Sequence, residues 1–152
     1  MKDNVINEMK LWLPAISMNE SVCRSSISAF CAELDPTVEE LSDIRLAVSE
    51  AVTNSIVHAY KELAAGEVGE IYISVRLLKG REIEIEISDS GCGITNVEEA
   101  MRPSFTTGDE AERCGMGFLV MQTFTDELLV SSSVGVGTKV VMRKILKPDT
   151  EG

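Results

Sequence analysis

The stretch from Leu41 to Tyr60 constrains this chain most, because an apolar stripe and a polar column run along opposite sides of one helix there. Leu41, Ile44, Val48, Ala51, Val52, Ser55 and Ala59 recur at three- and four-residue spacing and so share one mostly apolar face. Such a face packs on a core. Asp43, Glu50, Asn54 and, at the edge, His58 fall on the other side, and the steps from 50 to 54 to 58 stack three polar groups one turn apart. A carboxylate and an amide therefore project from one rigid rod. Thr37 with Glu40 fits a capping box, and Asp35-Pro36 supplies a stop and a pre-set φ just before the start. A solvated outer face would explain the polar column if nothing else in the chain spoke to it.

Around this helix, alternation marks strands. Glu8 to Leu13, with Met9, Leu11 and Leu13 on one side, predicts a short strand ended by Pro14, and Pro14 to Met18 a loop. Asn19 is placed to cap a helix in which Cys23, Ile27, Phe30, Cys31 and Leu34 share a face, with Glu20 and Arg24 one turn apart off that face. After the loop Ala64 to Gly69, Ile71, Ile73, Val75 and Leu77 alternate as one strand, Lys79-Gly80 turns, and Ile83, Ile85 and Ile87 alternate as the next. Glu127 to Ser132 and Thr138 to Ile145, joined across Val134 to Gly137, make a second hairpin, and Lys147 to Gly152 reads as a frayed tail. The expected fold class is α/β, a two-layer sandwich of helices on one side of a mixed, largely antiparallel sheet. One domain spanning 1–152, with a core over about 8–146, accounts for the length.

Two glycine motifs lower the weight of the solvated-face explanation. Ser88-Asp89-Ser90-Gly91-Cys92-Gly93 follows a strand, and Arg113-Cys114-Gly115-Met116-Gly117-Phe118 follows a polar loop. Taken alone, Asp-x-Gly-x-Gly serves equally well as a turn. Asn54, Asp-x-Gly-x-Gly and Gly-x-Gly in that order are far more specific together. With these residues the chain resembles the ATPase and kinase superfamily shared by gyrase, Hsp90, histidine kinases and MutL, from about residue 8 to residue 145. Glu-Ala-Val-Thr-Asn-Ser-Ile-Val-His from Glu50 to His58, Pro103-Ser104-Phe105-Thr106-Thr107 and Gly115-Met116-Gly117-Phe118 look most like the sporulation-type anti-sigma serine kinases, as do Asn19-Glu20-Ser21 and Leu34-Asp35-Pro36-Thr37.

That resemblance implies an ATP- and Mg2+-dependent protein serine kinase that binds and inhibits a sigma factor and phosphorylates the sigma factor's anti-anti-sigma antagonist. It also implies a homodimer, with the N-terminal strand and first helix at or near the dimer and sigma contacts, and makes Glu20 and Arg24 partner-contact candidates. A solvated ion pair of little worth would explain the spacing of that pair equally well. Asp89 would accept a hydrogen bond from the adenine amino group, a donor that guanine lacks there, and Gly91 and Gly93 would let the backbone approach the base. Thr138 matches the family threonine near the adenine, although β propensity explains it as well. Met101 to Arg113 reads as a lid carrying Thr106 and Thr107, and Gly115, Met116, Gly117 and Phe118 lead into a helix whose N-terminal amides suit phosphate oxygens.

No Gly-Lys-Ser/Thr follows, so this is not a Walker A loop. Arg113 would meet the terminal phosphate, unless it is a surface arginine in a charged loop. Asn54 suffices as the protein's oxygen ligand to Mg2+, and Glu50, one turn away, could take a proton from an attacking hydroxyl. Water as attacker would make an ATPase, serine a kinase. The rivals are a nucleotide-dependent protein-binding module without significant kinase activity, and a detached histidine kinase catalytic domain. His58 is the single histidine, so a histidine autokinase would have to use it or a residue on another chain.

Composition narrows the partners. A formal charge of −11 repels a phosphate backbone, which argues against direct nucleic-acid binding and for a protein partner with basic patches. No window reaches transmembrane length and the N-terminus has no long apolar run, so neither membrane insertion nor export is indicated, and the expected address is cytoplasmic. Cys23, Cys31, Cys92 and Cys114 contain no Cys-x-x-Cys pair, and with one histidine no zinc set assembles at the usual spacing, so reduced structural thiols are expected. Cys92 and Cys114 lie inside the glycine motifs, where alkylation could block a nucleotide by bulk.

Overall fold

A computed structural model describes residues 3–101 and 110–148, with side chains from residue 116 onward in the second stretch. Its elements in order are β1 (Val5–Pro14), α1 (Met18–Cys31), α2 (Val38–Asn54), β2 (Glu70–Leu78), β3 (Glu82–Asp89), α3 (Val97–Ala100), α4 (Glu110–Phe124), β4 (Glu127–Ser133) and β5 (Gly137–Ile145). A 3-10 turn, Ala32–Leu34, follows α1 and a π turn, Ser55–Ala59, follows α2.

The strands form one five-stranded sheet in the order β1-β2-β3-β5-β4. All four pairings are antiparallel, so the parallel pair that a mixed sheet requires is absent among the described strands. The reason lies in the strand order: β2–β3 and β4–β5 are hairpins, and β4, which the helical crossover delivers parallel to β3, is separated from it by β5. One sheet face is apolar. Ile71, Ile73, Val75, Leu77, Ile83, Ile85, Ile87, Val140 and Met142 are buried there, and Cys23, Ile27, Cys31, Ile44, Ala47, Val48, Ala51, Val52, Phe118 and Met121 cover them from the helices. Burial pushes the Cys23 thiol up to about 11 and the Cys31 thiol up to about 12, so both behave as small apolar side chains.

The opposite face meets water and balances its own charge. Glu8, Arg76, Glu84 and Arg143 stand in one row across β1, β2, β3 and β5, linked at 2.9, 3.0 and 2.9 Å. Alternating signs on adjacent strands make each neighbour an attraction.

Several boundaries differ from the sequence expectation. β1 begins at Val5 and includes Pro14, which an edge strand tolerates because it has a partner on one side only. α1 starts at Met18, and Asn19 does not cap it: its amide nitrogen donates to the Pro14 carbonyl at 2.8 Å, tying the helix to β1. α4 begins at Glu110, and α3, capped by Asn96 accepting from Glu99 N, is a short helix without apolar periodicity to reveal it.

The capping box is present. Thr37 Oγ1 accepts from the Glu40 amide at 3.0 Å, and Glu40 returns a bond to the Thr37 amide at 2.9 Å while also accepting from the Lys147 amide at 2.8 Å. Burial pushes the Glu40 carboxyl up, but these donors outweigh it and hold the group below its ordinary range. A depressed carboxylate contributes stability above its unfolded pKa and loses it as pH falls through the folded value. Thr37→Ala should therefore lower unfolding stability by about 1 kcal/mol at neutral pH. Urea unfolding at pH 7 and at a pH below the ordinary carboxylate range, where Glu40 becomes protonated in the folded chain, should show a smaller difference at the lower pH.

Candidate functional site

β3 ends at Asp89, between Ile71 on β2 and Thr138 on β5, where the apolar face gives out. Its carboxylate is gathered by three elements. Oδ1 accepts from the Gly91 amide at 3.0 Å and the Thr138 amide at 3.2 Å, and Oδ2 accepts from Ser55 Oγ at 3.1 Å. Burial raises the Asp89 pKa despite these donors, because all three are neutral. The loop beyond lies directly on the π turn: Cys92 N donates to the Ala59 carbonyl at 2.7 Å, and a Cβ on Gly91 would overlap that same carbonyl. Gly93 follows with φ 78°, and Ile94 N donates to Ser132 Oγ, which also meets Thr138 Oγ1 at 2.9 Å. Thr138 thus offers its amide to Asp89 and turns its hydroxyl toward Ser132.

Asn54 closes α2 one residue before Ser55, with Glu50 one turn back. α4 passes close over both. A Cβ on Gly117 would stand 3.2 Å from Glu50 Oε2 and 3.3 and 3.4 Å from Asn54 Nδ2 and Oδ1. This approach is what the second glycine motif provides. Asn54 Nδ2 is buried without a hydrogen-bond partner among the described residues, an arrangement that ordinarily signals a missing ligand or water. An amide oxygen beside a carboxylate is a donor set that suits a hard divalent cation already carrying phosphate and water.

The remaining expected site residues divide. Gly115 and Gly117 lie inside α4, not ahead of it, because the helix starts at Glu110 and takes in most of the charged run that sequence patterning assigned to a loop. Their amides are therefore not at the helix N-terminus, and the expected cluster of free amides is not at this position. Met116 is largely exposed, whereas the Phe118 side chain belongs to the core. Thr106 and Thr107 lie outside the described residues, as do the side chains of Arg113 and Cys114.

Glu20 and Arg24 form an ion pair at 3.1 Å that is half-buried, not merely solvated: Glu20 Oε1 also accepts from Ser49 Oγ on α2 at 2.6 Å. Ser49 directly precedes Glu50 in sequence, so α2 carries the α1 contact and the α4 contact at consecutive positions. Ser55, Ser132 and Tyr60 were not singled out from the sequence. A hydroxyl at a buried position of the α2 stripe was a usable signal for Ser55; nothing in the local pattern pointed to the other two.

Residues 14–144 match the model of the histidine kinase-like ATPase domain. An anti-sigma F factor of Thermoanaerobacter sp. strain X514 is 50% identical over 143 residues, covering 94% of this chain and 96% of the relative. That of Caldanaerobacter subterraneus subsp. tengcongensis is 52% identical over 140 residues, covering 92% and 94%. Among solved structures, the RsbU and RsbW domains of Rv1364c from Mycobacterium tuberculosis superpose with a TM-score of 0.67 at 17% identity, over 93% of this chain and 33% of that one. The histidine kinase domain of the Erythrobacter litoralis EL346 blue-light activated kinase gives 0.55 at 20% identity, over 88% and 62%. At those identities the structures establish the fold alone.

The raised Asp89 pKa predicts a pH signature. A group raised in the folded state contributes stability that is full below its unfolded pKa and lost as pH rises through the folded value, so ionised Asp89 costs stability at neutral pH. Asp89→Asn should unfold at higher urea than the unsubstituted chain at pH 7, and the gain should vanish below about pH 4, where the aspartate is protonated in both states.

Proposed function

This chain belongs to the anti-sigma F factor branch of the histidine kinase-like ATPase domain family, and we propose that it is an ATP- and magnesium-dependent serine protein kinase that also binds and inhibits a sporulation sigma factor. The observation that carries the reading is the juxtaposition of Glu50 and Asn54 under Gly117, with Asp89 joined to the next residue, Ser55. An acceptor for a base and a polar pair for a triphosphate then sit at neighbouring positions of one helix.

On this reading Asp89 Oδ2, with one lone pair given to Ser55, accepts from the adenine amino group with the other. Guanine carries a carbonyl there and is repelled. Gly91, Gly93 and Thr138 border the base. Asn54 would hold magnesium, which when bound offsets charge on the phosphate oxygens. Thr106 and Thr107 would meet the phosphates through their hydroxyls, Gly115, Met116, Gly117 and Phe118 belong to the α4 segment in which Gly117 keeps the space beside Glu50 and Asn54 open, and Arg113 stabilises charge on the terminal phosphate. Glu50 takes the proton of a substrate serine as its Oγ forms a bond to phosphorus and the bridging P–O bond breaks, leaving ADP. General base action of this kind contributes about 10² to 10⁴ in rate.

The substrate serine belongs to the anti-anti-sigma antagonist, and the Glu20–Arg24 pair on α1 is the partner contact. The N-terminal strand would join two copies of the chain, a role supported by Trp12, 63% exposed on β1 and stacked on Tyr72 with ring centroids 6.3 Å apart. No helix among the described residues is long and apolar enough to cross a membrane. Action in the cytoplasm, where sigma factors work, fits the reading.

Incubation with labelled ATP, magnesium and the antagonist, followed by acid, separates the chemistries, since phosphoserine survives acid and phosphohistidine does not. Glu50→Gln should abolish labelling while ATP binding persists; undiminished turnover would remove Glu50 from the mechanism. A wild-type chain that binds ATP and sigma factor but never labels the antagonist would make it a nucleotide-dependent binding module. Arg24→Ala should weaken the sigma complex by about tenfold or more, the scale of losing one charged contact. Full-strength binding by a folded variant would discard that interface.

A further inference from the structure

We propose that Tyr60 is a positioning residue for nucleotide recognition: its hydroxyl fixes the loop after Asp89 in the place where adenine is read. The inference rests on the reading of Asp89 as the adenine acceptor. Tyr60 stands just beyond the π turn, half-buried, with its ring against Gly69. Its Oη donates to the Glu70 carbonyl at 2.6 Å and accepts from the Ser90 amide at 2.8 Å. One hydroxyl therefore ties the first residue of β2 to the residue directly after Asp89. A Cβ on Gly69 would overlap the Tyr60 ring, so the seat for that ring is itself shaped by an absent side chain.

The π turn explains why Tyr60 can reach. At 3.6 residues per turn a residue five positions after Ser55 would point about 140° away from it. A π turn closes its hydrogen bonds from i to i+5, which brings residues five apart toward the same side. Ser55 and Tyr60 then face the same loop, one holding Asp89 Oδ2 and the other the Ser90 amide. Between them the Ala59 carbonyl takes the Cys92 amide. The loop is thus held at several positions by one short segment, and the amide of exposed Ser90 has no other tether among the described residues. Without the Tyr60 hydroxyl, water can satisfy that amide but cannot fix its position.

Tyr60→Phe keeps the ring and deletes both hydrogen bonds; Gly69→Ala keeps the hydroxyl and displaces the ring. Both should raise the Kd for ATP and ADP by about three- to tenfold, the scale of one or two net hydrogen bonds, and narrow the preference for ATP over GTP. The kcat should stay within about twofold, because Glu50 is untouched. Tyr72→Phe is the control: its Oη bonds the Glu70 side chain at 2.7 Å on the outer sheet face, and its removal should leave nucleotide affinity unchanged. Hydrogen exchange on the nucleotide-free chain should show the Ser90 amide protected and Tyr60→Phe releasing it. A Ser90 amide that exchanges equally in both chains overturns the clamp whatever the nucleotides do. Released exchange with unchanged ATP affinity, in a chain that binds ATP, overturns the positioning role. Failure of the unsubstituted chain to bind ATP overturns the adenine reading, with the exchange result still deciding whether Tyr60 holds the loop.

Discussion

The Asp89 carboxylate is withdrawn from water at the rim of the core and met, among the described residues, only by neutral donors, a hydroxyl from Ser55 and the amides of Gly91 and Thr138. Neutral hydrogen bonds compensate such a charge incompletely, and its raised pKa is the sign of the shortfall. A paired arginine would have relieved the strain and consumed the acceptor. Every surrounding feature follows from keeping this carboxylate both buried and available: Thr138 delivers an amide from β5 because the β3–β5 register sets it opposite Asp89, and the π turn delivers Ser55 from the helix layer.

The same economy governs the contact of α2 with α4. Glycine inside a helix costs about 1 kcal/mol relative to alanine. At Gly117 a Cβ would stand 3.2 Å from Glu50 Oε2 and 3.3 Å from Asn54 Nδ2, so an added side chain would require those two groups to give way by a few tenths of an ångström. Helix packing therefore covers two polar side chains instead of two apolar ones. Partial removal from water strengthens their electrostatic action on anything brought between them, and it leaves Asn54 Nδ2 without a partner among the described residues.

The sheet was legible because strands of period two declare themselves: Ile71 to Leu77 and Ile83 to Ile87 alternate without exception, and each observed strand lies within two or three residues of its expected bounds. The stripe and capping box of α2 were legible for the same reason. What escaped was structure whose cause is tertiary. The glycines at 115 and 117 read as punctuation, yet both positions fall inside α4, and Gly117 there faces Glu50 and Asn54 of α2. Five residues of π turn are too few for any period to register, so the turn that brings Ser55 and Tyr60 to one loop was invisible. Asn19 looked like a cap because its side chain can serve one; the Pro14 carbonyl competed and won. A mixed sheet was expected from the general α/β pattern, whereas the hairpin connections leave every described pairing antiparallel.

Successive residues of α2 serve different neighbours. Ser49 donates to Glu20 on α1, and Glu50 lies beneath Gly117 on α4. Adjacent side chains on a helix point about 100° apart, so the two contacts face different partners while sharing one peptide link. No hinge separates them. A displacement of α4 that shifts Glu50 is therefore passed through a rigid backbone to the Glu20–Arg24 pair, and the half-buried setting of that pair, with Arg24 Nε lacking a partner among the described residues, makes it sensitive to small shifts. On the proposed function this is how a nucleotide bound at one side of α2 could be felt by a protein seated at the other, with coupling carried by helix packing and not by a moving segment.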